Sequence, residues 1–369
     1  TRTPLQIVTF DPNINSLYVG SLLEGEGYLE GVGSFRELPI RQRAPLTISI
    51  SLLTGNNTKT IENPSKASVE QAIGELIQIA ANEGVQNSSK ISYRNTVVHS
   101  LEQAAVDLGF SARYMSGSVK VDFNFSTSVD KTTVMVHFVE NMFTVSMELP
   151  QTPGALFSDA FTNDLLQDQV NRGRLGPDNL PVYIANVTYG RIMTYSLTSS
   201  KSATEIKAAL DTAYNTGALD LSGSVASEYQ KLISESETQL VTVGGDSAAA
   251  RRAIQTGNIN EFFSEATALQ TATPISYTIH NVSDSSLAKV AETTDYTRTE
   301  CTAKTVADYW AEADEVLEQT NGGRWGTWAD SSMESCGQGN FAVGYQQKIE
   351  NENVGDDTAL NAIRLLCGE

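Results

Sequence analysis

The chain has 369 residues, 40% of them apolar, and a formal net charge of −19, material for two or three domains with cores of their own. That charge excludes nucleic acid and anionic headgroups as primary partners, because both repel it at long range. No run approaches the roughly 18 apolar residues of a spanning helix, and His99, His137 and His280 stand in no metal-ligand spacing; with no nucleophile elbow and no phosphate loop, no catalytic, metal or cofactor site is assigned.

The opening Thr-Arg-Thr-Pro lacks the apolar stretch of a signal peptide. Ser68 to Ala81 predicts a helix, since Val69, Ala72, Ile73, Leu76, Ile77 and Ala80 recur at helical spacing. The next segment has two readings: Ala104, Val106, Leu108 and Phe110 alternate as in a strand, while Val97, Leu101, Ala104, Ala105 and Leu108 fit a helix equally well. Val119, Val121, Phe123 and Phe125 then alternate strictly with Lys120, Asp122, Asn124 and Ser126. One face of such a strand could meet lipid while the other lines water.

A second ambiguous segment runs from Ala218 to Val241. Leu219, Leu221, Val225 and Tyr229 share a strand parity, whereas Val225, Tyr229, Leu232 and Ile233 share a helical face. Its Ser234 to Gln239 portion is too polar for a lipid-facing strand. Beyond Cys301 a short acidic helical stretch, Val306 to Leu317, leads into a Gly-, Trp- and Asp-rich tail, and this shift is the clearest domain boundary.

A transmembrane strand takes about 9–11 tilted residues, so each ambiguous segment is long enough for two strands and a turn. Backbone groups in lipid must all be paired, so such hairpins would insert only by closing with neighbours into a barrel. An ordinary antiparallel sheet with one solvated face explains the same alternation. The pattern leaves both readings open.

Arg43-Ala44-Pro45-Leu46-Thr47-Ile48-Ser49, Pro181 through Tyr189-Gly190-Arg191, Val243-Gly244-Gly245-Asp246, Pro274-Ile275-Ser276-Tyr277-Thr278 and Thr294-Asp295-Tyr296 resemble the cholesterol-dependent cytolysins in order and spacing. The resemblance implies an α+β fold with a β connector at 1–17 and 283–300, and a mixed scaffold at 18–90, 144–205 and 263–282. At 91–143 and 206–262 it implies a pore-forming domain, whose twisted antiparallel central sheet is flanked by two helical bundles that refold into hairpins. The expected protein is a secreted toxin that assembles on a target cell membrane as a ring-shaped homo-oligomer. Val97 to Asp130 and Ala218 to Val241 should then be largely helical in the monomer.

By the same resemblance Gly244-Gly245 is a hinge, suited to it because glycine crosses backbone regions at little steric cost, and Tyr189-Gly190-Arg191 is a structural corner. Two positions depart from the family pattern. Thr238 stands where an aromatic usually stacks between subunits, opposite Tyr93, and Asn95 stands where an acidic residue of an intersubunit ion pair is usual.

After a linker at 301–318, residues 319–369 carry Trp325-Gly326-Thr327-Trp328, Phe341 through Tyr345 and Gly355-Asp356-Asp357, and resemble one repeat of vitelline membrane outer layer protein I. Three such repeats make a β-prism, so one repeat cannot close its core; either the natural chain continues past Glu369 or the repeat packs on something else. Cys336 and Cys367 bracket the motif and are read as a disulfide formed in an oxidising compartment, with Cys301 odd. Trp325, Trp328, Asp356 and Asp357 are residue types that hold sugars, which makes a glycan or glycosylated receptor a candidate partner; prism core for the tryptophans and a turn for the aspartates is the plainer reading. A non-lytic carbohydrate-binding or coat protein on the same scaffold is the alternative function.

Overall fold

The computed structural model describes residues 7–10, 14–26, 35–85, 90–112, 115, 120, 122–123, 131–214, 223–263, 269–288, 341–348 and 362–368, within two units, Thr1–Arg298 and Thr299–Glu369. The described strands of the first unit form one antiparallel sheet: β1 (Ile7–Val8), β2 (Leu22–Leu23), β3 (Leu46–Ile50), β4 (Thr58–Ile61), β5 (Lys90–Val97), β6 (Thr132–Met147), β7 (Val182–Ser199), β8 (Glu237–Val243) and β9 (Thr273–Asn281).

Two long strands organise this sheet. β6 and β7, of 16 and 18 residues, pair from Thr132↔Ser199 to Ser146↔Asn186. Their neighbours change part-way along. At one end, the upper sheet, β5 lies beside β6, and β8 beside β7; at the other, the lower sheet, β3 lies beside β6, and β9 beside β7. The exchange falls where the β6–β7 register shifts between Asn141 and Phe143. Gly190 occupies this point because a Cβ there would lie 1.8 Å from the Glu140 carbonyl oxygen, closer than any side chain could come.

The helix expected at Ser68 to Ala81 is α1 (Lys66–Asn82), and all six stripe residues are buried. Ser65 caps it, its hydroxyl accepting from the Ser68 amide while Ser68 Oγ accepts from the Ser65 amide. Its apolar face shares a core with Leu46, Ile48, Val145 and Val187 of the lower sheet.

The upper sheet buries both faces, which is why β6 reads as a nearly continuous apolar run from Val134 to Val139, while Thr194 and Ser196 of β7 are buried polar residues between Met193, Tyr195 and Leu197. The helices concerned are α2 (Leu101–Leu108), α4 (Ala203–Tyr214), α5 (Gly223–Ser234), α6 (Ser247–Thr256) and α7 (Asn260–Phe263), with α3 (Asn163–Asn171) preceding β7. Val134, Val136, Phe138, Met193, Tyr195 and Leu197 pack under α4 to α7. The alternate residues Met135 and Ile192, with Val241 and Val243 of β8, pack under α2, Phe110 and Phe123. In the second unit β10 (Phe341–Lys348) pairs antiparallel with β11 (Ala362–Gly368), with a bulge between Ala342 and Gly344.

Candidate functional site

Strands β5 and β6 are neighbours in the upper sheet, as are β7 and β8. Antiparallel neighbours can be joined by a two-residue turn. Here β5 ends at Val97 and β6 begins at Thr132, while β7 ends at Ser199 and β8 begins at Glu237. Each pair is therefore joined by a long insertion, and every described helix of these insertions packs on the sheet.

The first insertion contains α2. Ser100 caps its start by accepting from the Gln103 amide, and Gly109 ends it with φ +98. Ala104, Ala105 and Leu108 are buried toward the sheet and Val106 is half-buried on the other side. The helical reading thus holds for Leu101–Leu108 in this state, whereas Val97, counted in the same stripe, ends strand β5 and pairs with Val134. Phe110 and Phe123 lie in the same core. Phe123, read from sequence as lipid-facing, is 1% exposed, so a charge there would disrupt the docked insertion as well as any membrane strand. Val119, Val121 and Phe125 lie outside the described residues.

The second insertion corrects the reading from sequence. Of Ala218 to Val241, Gly223–Ser234 is helical but Glu237–Val243 is strand β8, paired from Glu237↔Thr198 to Val243↔Ile192. Its polar alternation suits a sheet edge. Helix α4 lies upstream of the segment singled out, and its stripe of Ile206, Leu210 and Ala213 was the overlooked signal. Tyr229 is fully buried and Val225 lies in α5; Leu219 and Leu221 fall outside the described residues.

Edge strand β5 ties both insertions down, using alternate side chains. On one face Asn95 Nδ2 donates to Asp211 Oδ1 of α4 at 2.6 Å and Tyr93 Oη donates to the same oxygen at 3.2 Å. On the other face Arg94 Nη1 donates to the Leu108 carbonyl at 3.2 Å and Thr96 Oγ1 to Asp107 Oδ2 at 3.1 Å. Burial raises the Tyr93 phenol above its ordinary range; Asn95's hydrogen bond opposes this and the Asp211 charge adds to it.

A tyrosine chain fastens the second insertion. Tyr214 and Tyr229 hydroxyls lie 2.7 Å apart, Tyr195 Oη donates to Tyr214 at 3.4 Å, and Tyr229 Oη donates to the Ile254 carbonyl of α6 at 2.8 Å. Burial pushes Tyr214 up to about 12, and Tyr195 and Tyr229 well above the ordinary phenol value. These hydroxyls keep their protons and remain donors.

Gly244 and Gly245 follow β8 with φ of +68 and +70. A Cβ on Gly245 would sit 2.7 Å from a Phe262 ring carbon, and one on Gly244 would sit 3.0 Å from Thr273 Oγ1. Among the described residues no strand pairs with the outer edge of β8; the chain turns into α6, capped by Asp246, whose carboxylate accepts from the Ala248 and Ala249 amides. Gly245→Ala combines a left-handed φ with that contact and is expected to cost about 1–3 kcal/mol, measurable by urea denaturation.

Beside the glycines lies the Arg191 corner. Arg191 Nε is 3.9 Å from Glu140 Oε2, with both side chains no more than 4% exposed. Its Nη1 donates to the Phe262 carbonyl at 3.0 Å and its Nη2 to Thr271 Oγ1 at 2.9 Å. One buried cation thus joins the β6–β7 exchange point to the segment between β8 and β9.

In the second unit Cys367 lies on β11 in register with Ala342. Cys301, Trp325, Trp328, Cys336, Asp356 and Asp357 lie outside the described residues.

The family model for thiol-activated cytolysins matches residues 3–304. The chain belongs to this family. Pneumolysin of Streptococcus pneumoniae is 30% identical over 306 residues, covering 79% of this chain and 62% of that protein. A hemolysin of Bacillus cereus is 28% identical over 288 residues, 74% of this chain and 58% of that protein. The crystal structure of wild-type pneumolysin superposes with a TM-score of 0.63 at 24% identity, covering 78% of this chain and 61% of that one. The chain spans about three fifths of the length of these relatives. The model for vitelline membrane outer layer protein I matches residues 315–369.

In this thiol-activated cytolysin Asn95 and Thr238, the two positions read from sequence as departing from the family pattern, both lie on edge strands of the upper sheet. Asn95 binds Asp211 within its own chain. Thr238, the second residue of edge strand β8, pairs with Leu197.

Proposed function

We propose that this cytolysin is a secreted pore-forming toxin that assembles on a target membrane and converts its two insertions into β-hairpins of a large barrel. The supporting observation is topological. Strands already adjacent and antiparallel, β5 with β6 and β7 with β8, are joined by helical insertions in place of turns, so extending each pair along its existing register makes a hairpin without re-threading the chain. Such strands satisfy their backbone only when neighbouring subunits close the barrel, and β5 and β8 are the edges available for that pairing.

In this reading 91–143 and 206–262 form the pore-forming domain, 18–90, 144–205 and 263–282 the scaffold, and 1–17 with 283–300 the connector. Ala104, Val106, Leu108, Phe110, Val119, Val121, Phe123 and Phe125 supply lipid-facing positions of the first hairpin, and Leu219, Leu221, Val225 and Tyr229 those of the second. Gly244-Gly245 is the hinge, and 319–369 is a β-prism-type repeat that targets the protein to a surface glycan through Trp325, Trp328, Asp356 and Asp357. A solved structure at 25% identity bears the description sugar-binding protein pneumolysin, which favours a glycan partner.

Liposomes made from native membrane extract and loaded with a self-quenching dye test the proposal, with electron microscopy of the same samples. Dye release accompanied by rings is the expected outcome. Binding without release and without rings would overturn it in favour of a non-lytic surface protein.

A further inference from the structure

The helices that follow Gly244-Gly245 do not sit apart from the second insertion. Ala249, Ala250, Ala253 and Ile254 of α6 and Phe262 and Phe263 of α7 bury their side chains in the core that also holds Ile206, Leu210 and Ala213 of α4 and Tyr229 and Leu232 of α5. Three alanines on the buried face of α6 present only methyl groups to their neighbours. Tyr229, 0% exposed, donates its hydroxyl to the Ile254 carbonyl across that contact. The first insertion belongs to a different core on the opposite face of the sheet, built on Phe10, Met135, Ile192 and Ile275, and among the described residues that core holds none of α6 or α7.

We propose that the second insertion and the helices after the glycine pair open together as one cooperative unit, while the first insertion opens separately. Contiguous buried contacts make such units, and a hydrogen-bonded carbonyl at the seam adds to the penalty of parting the two pieces. Movement of the chain after Gly245 would then loosen α4 and α5 directly, so an event at the β8 edge is transmitted to one insertion before the other. The cooperativity itself is a property of the monomer and does not depend on pore formation.

Hydrogen exchange of the full chain in the absence of membranes provides the test. Tyr229→Phe keeps the ring and removes the hydroxyl. It is expected to speed exchange roughly tenfold in both Gly223–Ser234 and Ser247–Thr256, leaving Leu101–Leu108 unchanged. Ala253→Gly perturbs the unit from the other side and, because coupling is reciprocal, is expected to speed exchange in α5 by about the same factor as in α6. The proposal is overturned if Tyr229→Phe accelerates α5 alone, or if Ala253→Gly accelerates α6 alone. It is equally overturned if α2 accelerates in step with them. Should Tyr229→Phe change neither segment, the Ala253→Gly result decides by the same criterion.

Discussion

Arg191→Met is expected to destabilise the first unit by about 3–5 kcal/mol, the range for removing one partner of a buried ion pair, and to lower Tm by on the order of 10 °C. Three interactions go at once: the Glu140 contact at 3.9 Å and the bonds to the Phe262 carbonyl and Thr271. Methionine refills part of the volume, so the loss is mainly electrostatic and hydrogen-bonded. The Glu140 carboxylate, 3% exposed, is left in the interior without its cation. Glu140→Gln on the Arg191→Met background removes that charge, so the double variant is expected to be more stable than Arg191→Met alone. Thermal melts of wild type and of the two variants check both statements. A Tm within about 2 °C of wild type for Arg191→Met would show that the corner is held by packing instead.

The same corner shows what a sequence can and cannot disclose. Helix α1 was legible because its six apolar residues face one core and have no second duty. Under the proposed function the insertions are ambiguous for a physical reason: a segment that is to dock as a helix in one state and line a barrel in another must satisfy both periods, and Ala104 and Leu108 fit each pattern equally. Phe123 illustrates the point, since the apolar character read as lipid-facing also suits the core in which it is buried. Helix α4 had a plain stripe but lay upstream of the parity that drew attention. Strand β6 shows no alternation from Val134 to Val139 because helices cover both of its faces in the upper sheet.

Contacts between distant segments were beyond reach altogether. Tyr93 and Asp211 are 118 positions apart; bringing them together requires the β5–β6 register and the docking of α4, neither of which is encoded near either residue. Asn95 draws attention in the sequence through the family resemblance alone. Its partner within the chain could be found only from coordinates. The Arg191–Glu140 pair is similar: the block around Arg191 was recognised as a corner, but the partner lies on another strand, at a register break.

Lowering the pH from about 7.4 to about 5.5 is expected to cost wild type about 1.3 kcal/mol of stability that a His137→Gln variant does not lose. His137 lies in β6 with its Nδ1 2.7 Å from Thr194 Oγ1 and its ring 5.1 Å from Phe110 and 6.3 Å from Phe10. Arg94 of β5, directly across the ladder, is the charged group that acts on it. Burial first and the Arg94 charge second push the imidazole down from 6.5 to about 3, so it is neutral in the native state. The sign follows from proton counts. Between about 3 and 6.5 the unfolded chain binds a proton that the folded chain does not, so stability rises with pH across this window and falls on acidification through 6.5. The full gap of about 3.5 corresponds to about 5 kcal/mol at 1.36 kcal/mol per pH unit, but only the part between pH 6.5 and 5.5 is drawn on here. Carboxylates titrate in both proteins and cancel in the comparison. The same sign applies to release of the first insertion, because removing Phe110 from the sheet wets His137 and returns its affinity for a proton. Urea denaturation of both proteins at the two pH values measures the effect. A difference below about 0.4 kcal/mol would mean that water or a local opening already lets the ring titrate in the native state.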